Sequence, residues 1–568
     1  MEQIKNHPID FDSLFPQIME TLKDYMAIGS FTGTADEKKV EPFLQAKLSS
    51  MPYFVQNPAD FGFFPVPEDG LHRQVAWGLV RGKKSDTVCL LHHYDVVGVE
   101  DFKSLKDLAL HPDALEEALR QNMSMLSEDA AKDLASGAFL FGKGGCDMKA
   151  GGSIELNLLR EYGGLALQGE LEGSVLLLAV PDEENLSAGM RAAALLMEQL
   201  QKERGLSFRL MINAEPHMRR DPDVGVFSLG SIGKVMPFVY VRGSLSHAGK
   251  VFEGVNPLPI LSDIIRRTEL NMDFTDTLPT GPDTAECSLP PTWLYARDSK
   301  TVYDVSMPLY ACGYVNVLTL TSSPEDVLKR LEAICQEAMQ DYLQGLRASQ
   351  ELYLQRTRRK QDPVSWKVQI LRFDDLLTEA KEHGGDAFLS LYEQKMQEML
   401  EAVEAGEKTF LTGNEELVSF VFDHVKESGP RIVIGLIPPY YPCVSNLRYE
   451  KEDAVIKGLF PFLRDYAANT FSQAYEAEYF FTGLSDLSYV SLDDPEAERT
   501  LLKENMPFFE HGYDIPLEAV HAISMPCINI GPWGKDFHKL SERVLIKDVA
   551  KVTPRLIDIA VRYLFSNG

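Results

Sequence analysis

The segment 87–98, TVCLLHHYDVVG, combines an apolar run with a group of ionisable residues. Its first five residues, Thr87–Leu91, are apolar or β-branched and predict a buried strand. Three ionisable side chains follow at once, on His92, His93 and Asp95. Functional side chains of an open α/β sheet gather beyond the carboxyl ends of its strands, so this pattern predicts a site at the end of this strand. His92 is expected to point to the opposite side of the strand from His93.

Polar residues also follow the other predicted strands. Ser174–Val180 leads into the acidic run Asp182-Glu183-Glu184, Phe208–Ile212 leads to Glu215, and Pro526–Ile530 leads to a stretch that contains His538. Asp147 lies in the glycine-rich FGKGGCDMKAGG, directly before a predicted helix. If the strands are parallel, these side chains meet at one edge of the sheet.

Helical periodicity over Ala150–Tyr162 and Ala188–Arg204 alternates with the strands, which predicts an α/β fold with a mainly parallel central sheet flanked by helices. We expect the catalytic domain to occupy residues 1–234 and 336–568, with an extra, largely helical insertion at about 340–430. Residues 235–335 are expected to form a small inserted α+β domain. The apolar run Arg431–Ile437 is predicted, like Pro526–Ile530, to continue the main sheet.

The composition argues against some classes of partner and indicates the cellular compartment. A formal net charge of -28 repels phosphate backbones and anionic lipids, so we expect no nucleic acid or membrane partner. No apolar run reaches the ~20 residues of a membrane helix, and the first 25 residues show no secretory signal. The seven cysteines are scattered without a CxxC pair, which favours a reducing, cytoplasmic location.

Two histidines and three or four carboxylates at one sheet edge have a definite chemistry. Nitrogen and oxygen ligands without thiolate suit zinc in an open, catalytic site. One carboxylate can bridge two such ions about 3.5–4 Å apart. The intervals between these residues are long, so the prediction depends on the strand-end argument and not on spacing.

Six segments resemble motifs of the M20 metallopeptidases, the co-catalytic zinc aminoacylase and carboxypeptidase group. They occur in family order between residues 87 and 544: HHYDVV, GKGGCDMKAG, PDEENLSAG, NAEP, GSLSHAGKVFEGVNPL and FHKLSERV. The additional length around 340–430 and the segment INIGPWGKDFHKLSERV resemble the RocB-type arginine-utilisation branch. The resemblance implies a zinc-exopeptidase-like fold whose inserted domain serves as a lid and dimerisation domain.

The resemblance also implies a set of metal ligands. His93 and Glu215 would hold one zinc ion, Glu184 and His538 the other, and Asp147 would bridge them. Two Zn²⁺ per subunit are therefore expected, with Co²⁺ or Mn²⁺ as substitutes.

Four further residues receive roles from the same resemblance. Glu183 would be the general base, and Asp95 would orient and polarise His93. His247, in the lid, would reach the active site of a partner subunit and stabilise an oxyanion, which implies a homodimer. Asn256 would help to bind the substrate.

The sequence departs from the family pattern in the lid. Where the family has D-x-R, with an arginine that grips the substrate carboxylate, this chain has NVLTLTSSPEDV. Arg219, Arg220 and Arg297 are candidate replacements, although solvated surface positions are the simpler interpretation. Ser541 stands where the family often has asparagine, and Asp486 falls in a region that is glycine-rich in the family.

We therefore expect a hydrolase that cleaves an amide or peptide bond of a small amino-acid derivative, possibly in arginine or ornithine metabolism. Two alternatives within enzymes stay open: an N-acyl amino-acid deacylase, and a hydrolase of a non-peptide C–N bond such as a carbamoyl or guanidino group. A third alternative is a non-catalytic binding or regulatory member of the fold. The presence of all five ligands and of Glu183 argues against the third.

Overall fold

The computed structural model describes residues 9–281, 284–362, 365–426 and 429–567. The first eight residues of the predicted catalytic domain, and two short pieces of the predicted insertion, lie outside these ranges. The described chain divides into two compact units. The first contains residues 9–231, 444–493 and 516–567, and the second contains residues 232–443 and 494–515.

The α-helices are α1 (Phe11–Met26), α2 (Glu41–Ser49), α3 (Pro52–Gln56), α4 (Pro112–Gln121), α5 (Glu128–Ser136), α6 (Ala150–Gln168), α7 (Ala188–Arg204), α8 (Pro257–Thr268), α9 (Pro324–Thr357), α10 (Phe373–Glu404), α11 (Phe410–Phe422), α12 (Tyr449–Glu452), α13 (Ala454–Phe471), α14 (Pro495–Asn505), α15 (Leu517–Ala522) and α16 (Thr553–Asn567).

The strands are β1 (Phe61–Pro65), β2 (Gln74–Val80), β3 (Asp86–His93), β4 (Phe139–Phe141), β5 (Ser174–Val180), β6 (Ser207–Asn213), β7 (Val224–Ser228), β8 (Gly230–Ser231), β9 (Gly233–Val235), β10 (Pro237–Arg242), β11 (Thr277–Pro279), β12 (Ala285–Cys287), β13 (Thr292–Asp298), β14 (Tyr310–Thr319), β15 (Ile370–Arg372), β16 (Arg431–Leu436), β17 (Val444–Ser445), β18 (Ala474–Glu478), β19 (Cys527–Asn529), β20 (Gly534–Lys535) and β21 (Arg543–Leu545).

The first unit is built on an eight-stranded sheet in the order β1-β2-β5-β3-β6-β19-β7-β18. Its central strands β5, β3, β6 and β19 run parallel, whereas β1 and β2 pair antiparallel on one side and β7 pairs antiparallel with β19. The sheet is therefore mixed around a parallel centre. The predicted α/β class, with a central sheet flanked by helices, is confirmed.

The register of the parallel strands explains why their ends meet. His93 at the end of β3 lies opposite Val180 at the end of β5, and Leu91 lies opposite Asn213 at the end of β6. Every residue of β5 is buried, as expected for a strand whose two faces are both covered by helices. The residues that follow β3, β5 and β6 consequently leave the sheet at one edge.

The second unit has its own sheet, in the order β13-β14-β10-β16-β15, with β9 also paired to β14. The prediction that Arg431–Ile437 continues the main sheet is wrong, because β16 pairs antiparallel with β10 and parallel with β15. An apolar run has the same appearance at the centre of any buried sheet. Its partner is set by long-range pairing that the run itself does not encode.

The second unit is larger than the predicted inserted domain of residues 235–335. Helices α9, α10 and α11, which cover most of the expected 340–430 insertion, all belong to it. α9 is continuous from Pro324 to Thr357, and Ser323 caps it through a capping box with Asp326. The predicted boundary near residue 335 falls inside this helix. No helix in the described ranges is long and apolar enough to cross a bilayer.

Candidate metal centre

The five predicted metal ligands come together at the carboxyl edge of the first unit's sheet. They are supplied by five separate stretches: the end of β3, the turn before α6, the loop between β5 and α7, the segment after β6 and the segment after β20. In that order, the residues are His93, Asp147, Glu184, Glu215 and His538.

Asp147 lies at the centre of the cluster. Its Oδ1 is 3.1 Å from His93 Nε2, and its Oδ2 is 3.1 Å from His538 Nε2. His538 Nε2 is also 3.0 Å from Glu184 Oε1, and His93 Nε2 is 3.8 Å from Glu215 Oε2. The two oxygens of one carboxylate thus face two separate histidine–glutamate pairs.

The donor set fits divalent cations. Ligand atoms of His93, Asp147 and Glu184 all lie within 4.8 Å of one another. Glu215 Oε2 is buried and has no hydrogen-bond partner among the described residues, as expected for an oxygen reserved for an ion. Imidazole nitrogens and carboxylate oxygens are the ligands of catalytic zinc and related metals.

The charges within the cluster depend on one another. Burial opposes ionisation of Asp147, but its hydrogen bonds with His538 and His93 outweigh this and lower its pKa. Hydrogen bonds with Asp147 and Glu184 raise the pKa of His538 to about 10. Burial, with Asp147 nearby, raises the pKa of Glu215 to about 8. A bound cation would compete with these protons, because metal ligands must be deprotonated.

Asp95 contacts both His93 and the acidic loop after β5. Asp95 Oδ1 is 3.4 Å from His93 Nδ1, and the backbone carbonyl of Asp95 is 3.1 Å from the same nitrogen. Its carboxylate also accepts the backbone N–H groups of Glu183 and Glu184, each at 3.1 Å. Asp95 therefore lies within reach of His93, and its role in orienting and polarising His93 stays a prediction. Asp95 also fixes the loop, which the sequence does not indicate.

Glu183 lies beside the predicted ligands and keeps part of its side chain accessible. Its Oε2 is 3.9 Å from His93 Nε2, and 14% of its side chain is exposed. Burial raises the pKa of Glu183 well above its usual value, and nearby Glu215 and Asp486 add to this rise, whereas His93 opposes it. A carboxyl group beside such a cluster can accept and return a proton.

His92 takes no part in the cluster, as predicted. Its Nδ1 is 2.8 Å from Glu155 Oε2, and its Nε2 is 3.3 Å from the Tyr25 hydroxyl. All three residues are fully buried on the other side of β3. Burial lowers the pKa of His92 to about 3, so the imidazole is neutral.

His247 and Asn256 belong to the second unit. His247 is exposed, and its Nδ1 accepts the backbone N–H of Gly249 at 3.0 Å. Asn256 is the N-cap of α8: its side chain accepts the backbone N–H of Leu258 at 3.1 Å. The cap gives Asn256 a structural role, and its predicted contact with substrate stays a prediction.

The arginines proposed as substitutes for the family's lid arginine have different settings. Arg219 is not a solvated surface residue: its guanidinium pairs with the buried Asp548 at 2.7 Å and stacks over Trp533. The ion pair and the stacking therefore hold the Arg219 side chain within the folded structure. Arg220 is exposed, as predicted. Arg297, in the second unit, is 37% exposed and lies 3.8 Å from Glu415.

One buried ion pair that supports the cluster is not predicted from the sequence. Lys143 Nζ donates to Glu542 Oε2 at 3.1 Å, and both side chains are buried. Glu542 Oε1 also accepts the backbone N–H of Cys146, at 3.4 Å. This pair ties the turn that carries Asp147 to the segment that carries His538. The glutamate is visible in the FHKLSERV segment, but nothing in the sequence points to a lysine 399 residues away.

This chain is similar in sequence to two proteins of Bacillus subtilis. No family model matches the chain. The chain is 32% identical over 556 residues to the uncharacterized protein YqjN of Bacillus subtilis (strain 168), covering 97% of both chains. It is 28% identical over 550 residues to Protein RocB of the same strain, covering 95% of this chain and 94% of RocB.

A solved structure shows the same fold. It is an M20 family metallo-carboxypeptidase, Sso-CP2 from Sulfolobus solfataricus, with a TM-score of 0.52 and 12% sequence identity. The match covers 96% of this chain and 99% of that one. At this identity the likeness concerns the fold alone.

Proposed function

Because this chain belongs to the family of YqjN and RocB and has the M20 metallopeptidase fold, we propose that it is a dinuclear metal-dependent hydrolase. Its reaction is the cleavage of an amide or peptide bond in a small amino-acid derivative. The observation that carries the proposal is the position of Asp147, whose two carboxylate oxygens each lie 3.1 Å from a different histidine.

The chain's own residues define two adjoining cation sites. His93 and Glu215 would hold one ion, Glu184 and His538 the other, and Asp147 both. When bound, two Zn²⁺ ions here would polarise the substrate carbonyl and make a water molecule more acidic. Zinc is favoured by the nitrogen and oxygen donors, and Co²⁺ or Mn²⁺ would use the same ligands.

Glu183 would carry the proton. Its carboxylate lies at the rim of the cluster, where it can take a proton from the attacking water and deliver it to the leaving nitrogen. Asp95 supports this step because it accepts the backbone N–H of Glu183 at 3.1 Å and so holds the backbone from which the side chain projects.

The active form would be a homodimer in which His247 acts on the partner subunit's site. His247 is exposed and its ring is held by the Gly249 backbone, so its Nε2 can meet a group from another chain. A donor at this place would stabilise the oxyanion that develops on the carbonyl oxygen. A cytoplasmic location accords with the seven cysteines, all of which are free thiols.

The substrate class is proposed from the sequence. The resemblance to the arginine-utilisation branch favours derivatives of arginine or ornithine. The absence of the lid arginine from the segment 316–327 separates this chain from relatives that grip a substrate carboxylate there. N-acyl amino acids and carbamoyl or guanidino compounds therefore belong in the same substrate panel as dipeptides.

The test is metal content and hydrolysis, measured for the wild type and for Glu183→Ala on that panel. We expect two ions per chain in both proteins and loss of turnover by about 10²–10⁴-fold in the variant. The matched control is Glu172→Ala, which removes a half-exposed glutamate paired with Lys83 and should leave turnover unchanged. Bound metal without turnover on any compound would favour the non-catalytic alternative. A Glu183→Ala protein with full activity would refute the assignment of the base.

A further inference from the structure

Arg73 is buried at the centre of three carboxylates in the first unit. Its Nη1 donates to Glu37 Oε1 at 2.8 Å and to Asp182 Oδ1 at 2.5 Å. Its Nε and Nη2 bind the two oxygens of Asp69 at 3.0 and 2.9 Å. The side chains of all four residues are less than a tenth exposed. A planar guanidinium with several fixed donors is the group that can satisfy such a cluster.

Asp182 links this cluster to the metal centre, because it directly precedes Glu183 and Glu184. Its Oδ2 accepts the backbone N–H of Ala188 at 3.1 Å, and its carbonyl accepts that of Ser187 at 2.7 Å. Asp182 therefore joins the beginning of the loop to its end, through both its side chain and its backbone carbonyl. Its φ of 69° lies in the left-handed region, where a residue with a side chain requires support from its surroundings.

Glu37 provides that support from the N-terminal segment. Its Oε2 accepts the backbone N–H of Asp182 at 2.9 Å, and its Oε1 accepts that of Gly33 at 2.7 Å. Without a cation, the carboxylates of Glu37 and Asp182 would face each other in a buried setting at high cost. The positive charge of Arg73 therefore stabilises this conformation of the loop.

We propose that Arg73 is a positioning residue, which fixes the loop after β5 so that Glu183 and Glu184 face the metal centre. Asp95 holds the backbone of the same two glutamates, so the loop is anchored at two places. The proposal rests on the proposed function insofar as Glu183 is the base and Glu184 a ligand. The placement of the loop itself can be tested without metal.

Two variants separate positioning from general stability. Arg73→Gln removes the charge and most of the donors. Arg73→Lys retains the charge but loses the planar fork. The matched control is Arg431→Gln, which removes another buried arginine, paired with Glu379 in the second unit. If Arg73 contributed only to general stability, its loss would affect the first unit evenly and not the loop in particular.

The first measurement is amide hydrogen exchange of the metal-free protein. In Arg73→Gln we expect at least tenfold faster exchange in peptides covering 182–188, with α16 unchanged. Arg73→Lys should give a smaller increase, and Arg431→Gln should leave this loop at the wild-type rate. The proposal is overturned if the loop exchanges as in the wild type, or if exchange rises evenly over the first unit.

The second measurement is a Zn²⁺ titration of the same proteins. We expect Arg73→Gln to bind one ion as the wild type does and the other about 10- to 100-fold more weakly, because Glu184 belongs to only one of the two sites. Arg73→Lys should restore part of this affinity. Equal affinities in all variants would overturn the link between Arg73 and the metal centre. A wild type that binds no zinc would instead refute the proposed function, and hydrogen exchange would still decide the role of Arg73.

Discussion

Asp147 shows how much of this site depends on single side chains. Its two oxygens contact His93 and His538, which are more than four hundred residues apart in the chain. The residue types at these positions could be selected from the sequence, because each follows a predicted strand or precedes a predicted helix. Their distances could not, because those depend on how the strands pair. The Lys143–Glu542 pair was missed for the same reason.

The buried His92 predicts how the stability of the folded protein depends on pH. Its buried imidazole has a pKa of about 3, whereas a histidine in the unfolded chain titrates near 6.5. Below pH 6.5 the unfolded state therefore binds a proton that the folded state does not. The contribution of His92 to stability should therefore fall by up to about 1.4 kcal/mol per pH unit below pH 6.5. Burial raises the pKa of its partner Glu155, which opposes this trend, so only the difference between the wild type and a His92 variant isolates the contribution of His92.

The measurement is the melting temperature of the metal-free protein at pH 7 and pH 5. We expect the melting temperature to fall more between pH 7 and pH 5 in the wild type than in His92→Asn, because the variant has no histidine to titrate at position 92. The control is the exposed His383→Asn, which should behave as the wild type does. Equal losses in the wild type and in His92→Asn would contradict a neutral, buried His92.

At the scale of elements, the strands and helices next to the site were predicted well. β5 and α7 coincide with the predicted Ser174–Val180 and Ala188–Arg204, because an unbroken apolar run and a helical apolar stripe each end at clear turn residues. The pairing of β16 was predicted wrongly. Its apolar residues are equally suited to the centre of either sheet, so its partners follow from the fold of the second unit.

The close approach of β19 and the segment after β6 can be tested at Gly531. A Cβ added there would overlap the backbone carbonyl of Glu215, so β19 and the segment after β6 would have to separate. We expect Gly531→Ala to lower the affinity for the ion held by Glu215 by at least tenfold and to lower the melting temperature.

Gly164 in α6 is the matched control for Gly531. A Cβ there meets no atom within 4 Å, and alanine is favoured over glycine inside a helix by about 0.5–1 kcal/mol. Gly164→Ala should therefore raise the melting temperature slightly and leave metal binding unchanged. Wild-type metal affinity in Gly531→Ala would show that Glu215 does not depend on this contact.

At the scale of the whole molecule, the division of the chain differs most from the sequence prediction. The second unit takes up α9, α10 and α11, which were expected to extend the catalytic domain. The sequence predicted a largely helical stretch at about 340–430. It could not assign these helices to a unit, because the assignment depends on which sheet they cover.

The proposed dimer can be tested by mixing two inactive variants. If His247 acts on the partner subunit's site, a heterodimer of Glu183→Ala and His247→Ala contains one site with both groups intact. We expect each variant alone to be nearly inactive. The mixture, after exchange of subunits, should recover up to about a quarter of wild-type turnover, because half of the dimers are mixed and each has one complete site. Mixtures that stay inactive after confirmed exchange would contradict the action of His247 across subunits.

The bridging of two cations by Asp147 is tested by the number of zinc ions bound per chain by the wild type and by Asp147→Asn. The substitution keeps the size of the side chain but removes the charge that both sites share. A bridging Asp147 predicts two ions per chain in the wild type and loss of both in the variant. A wild type that binds one ion or none, or an Asp147→Asn protein that still binds two, would contradict it.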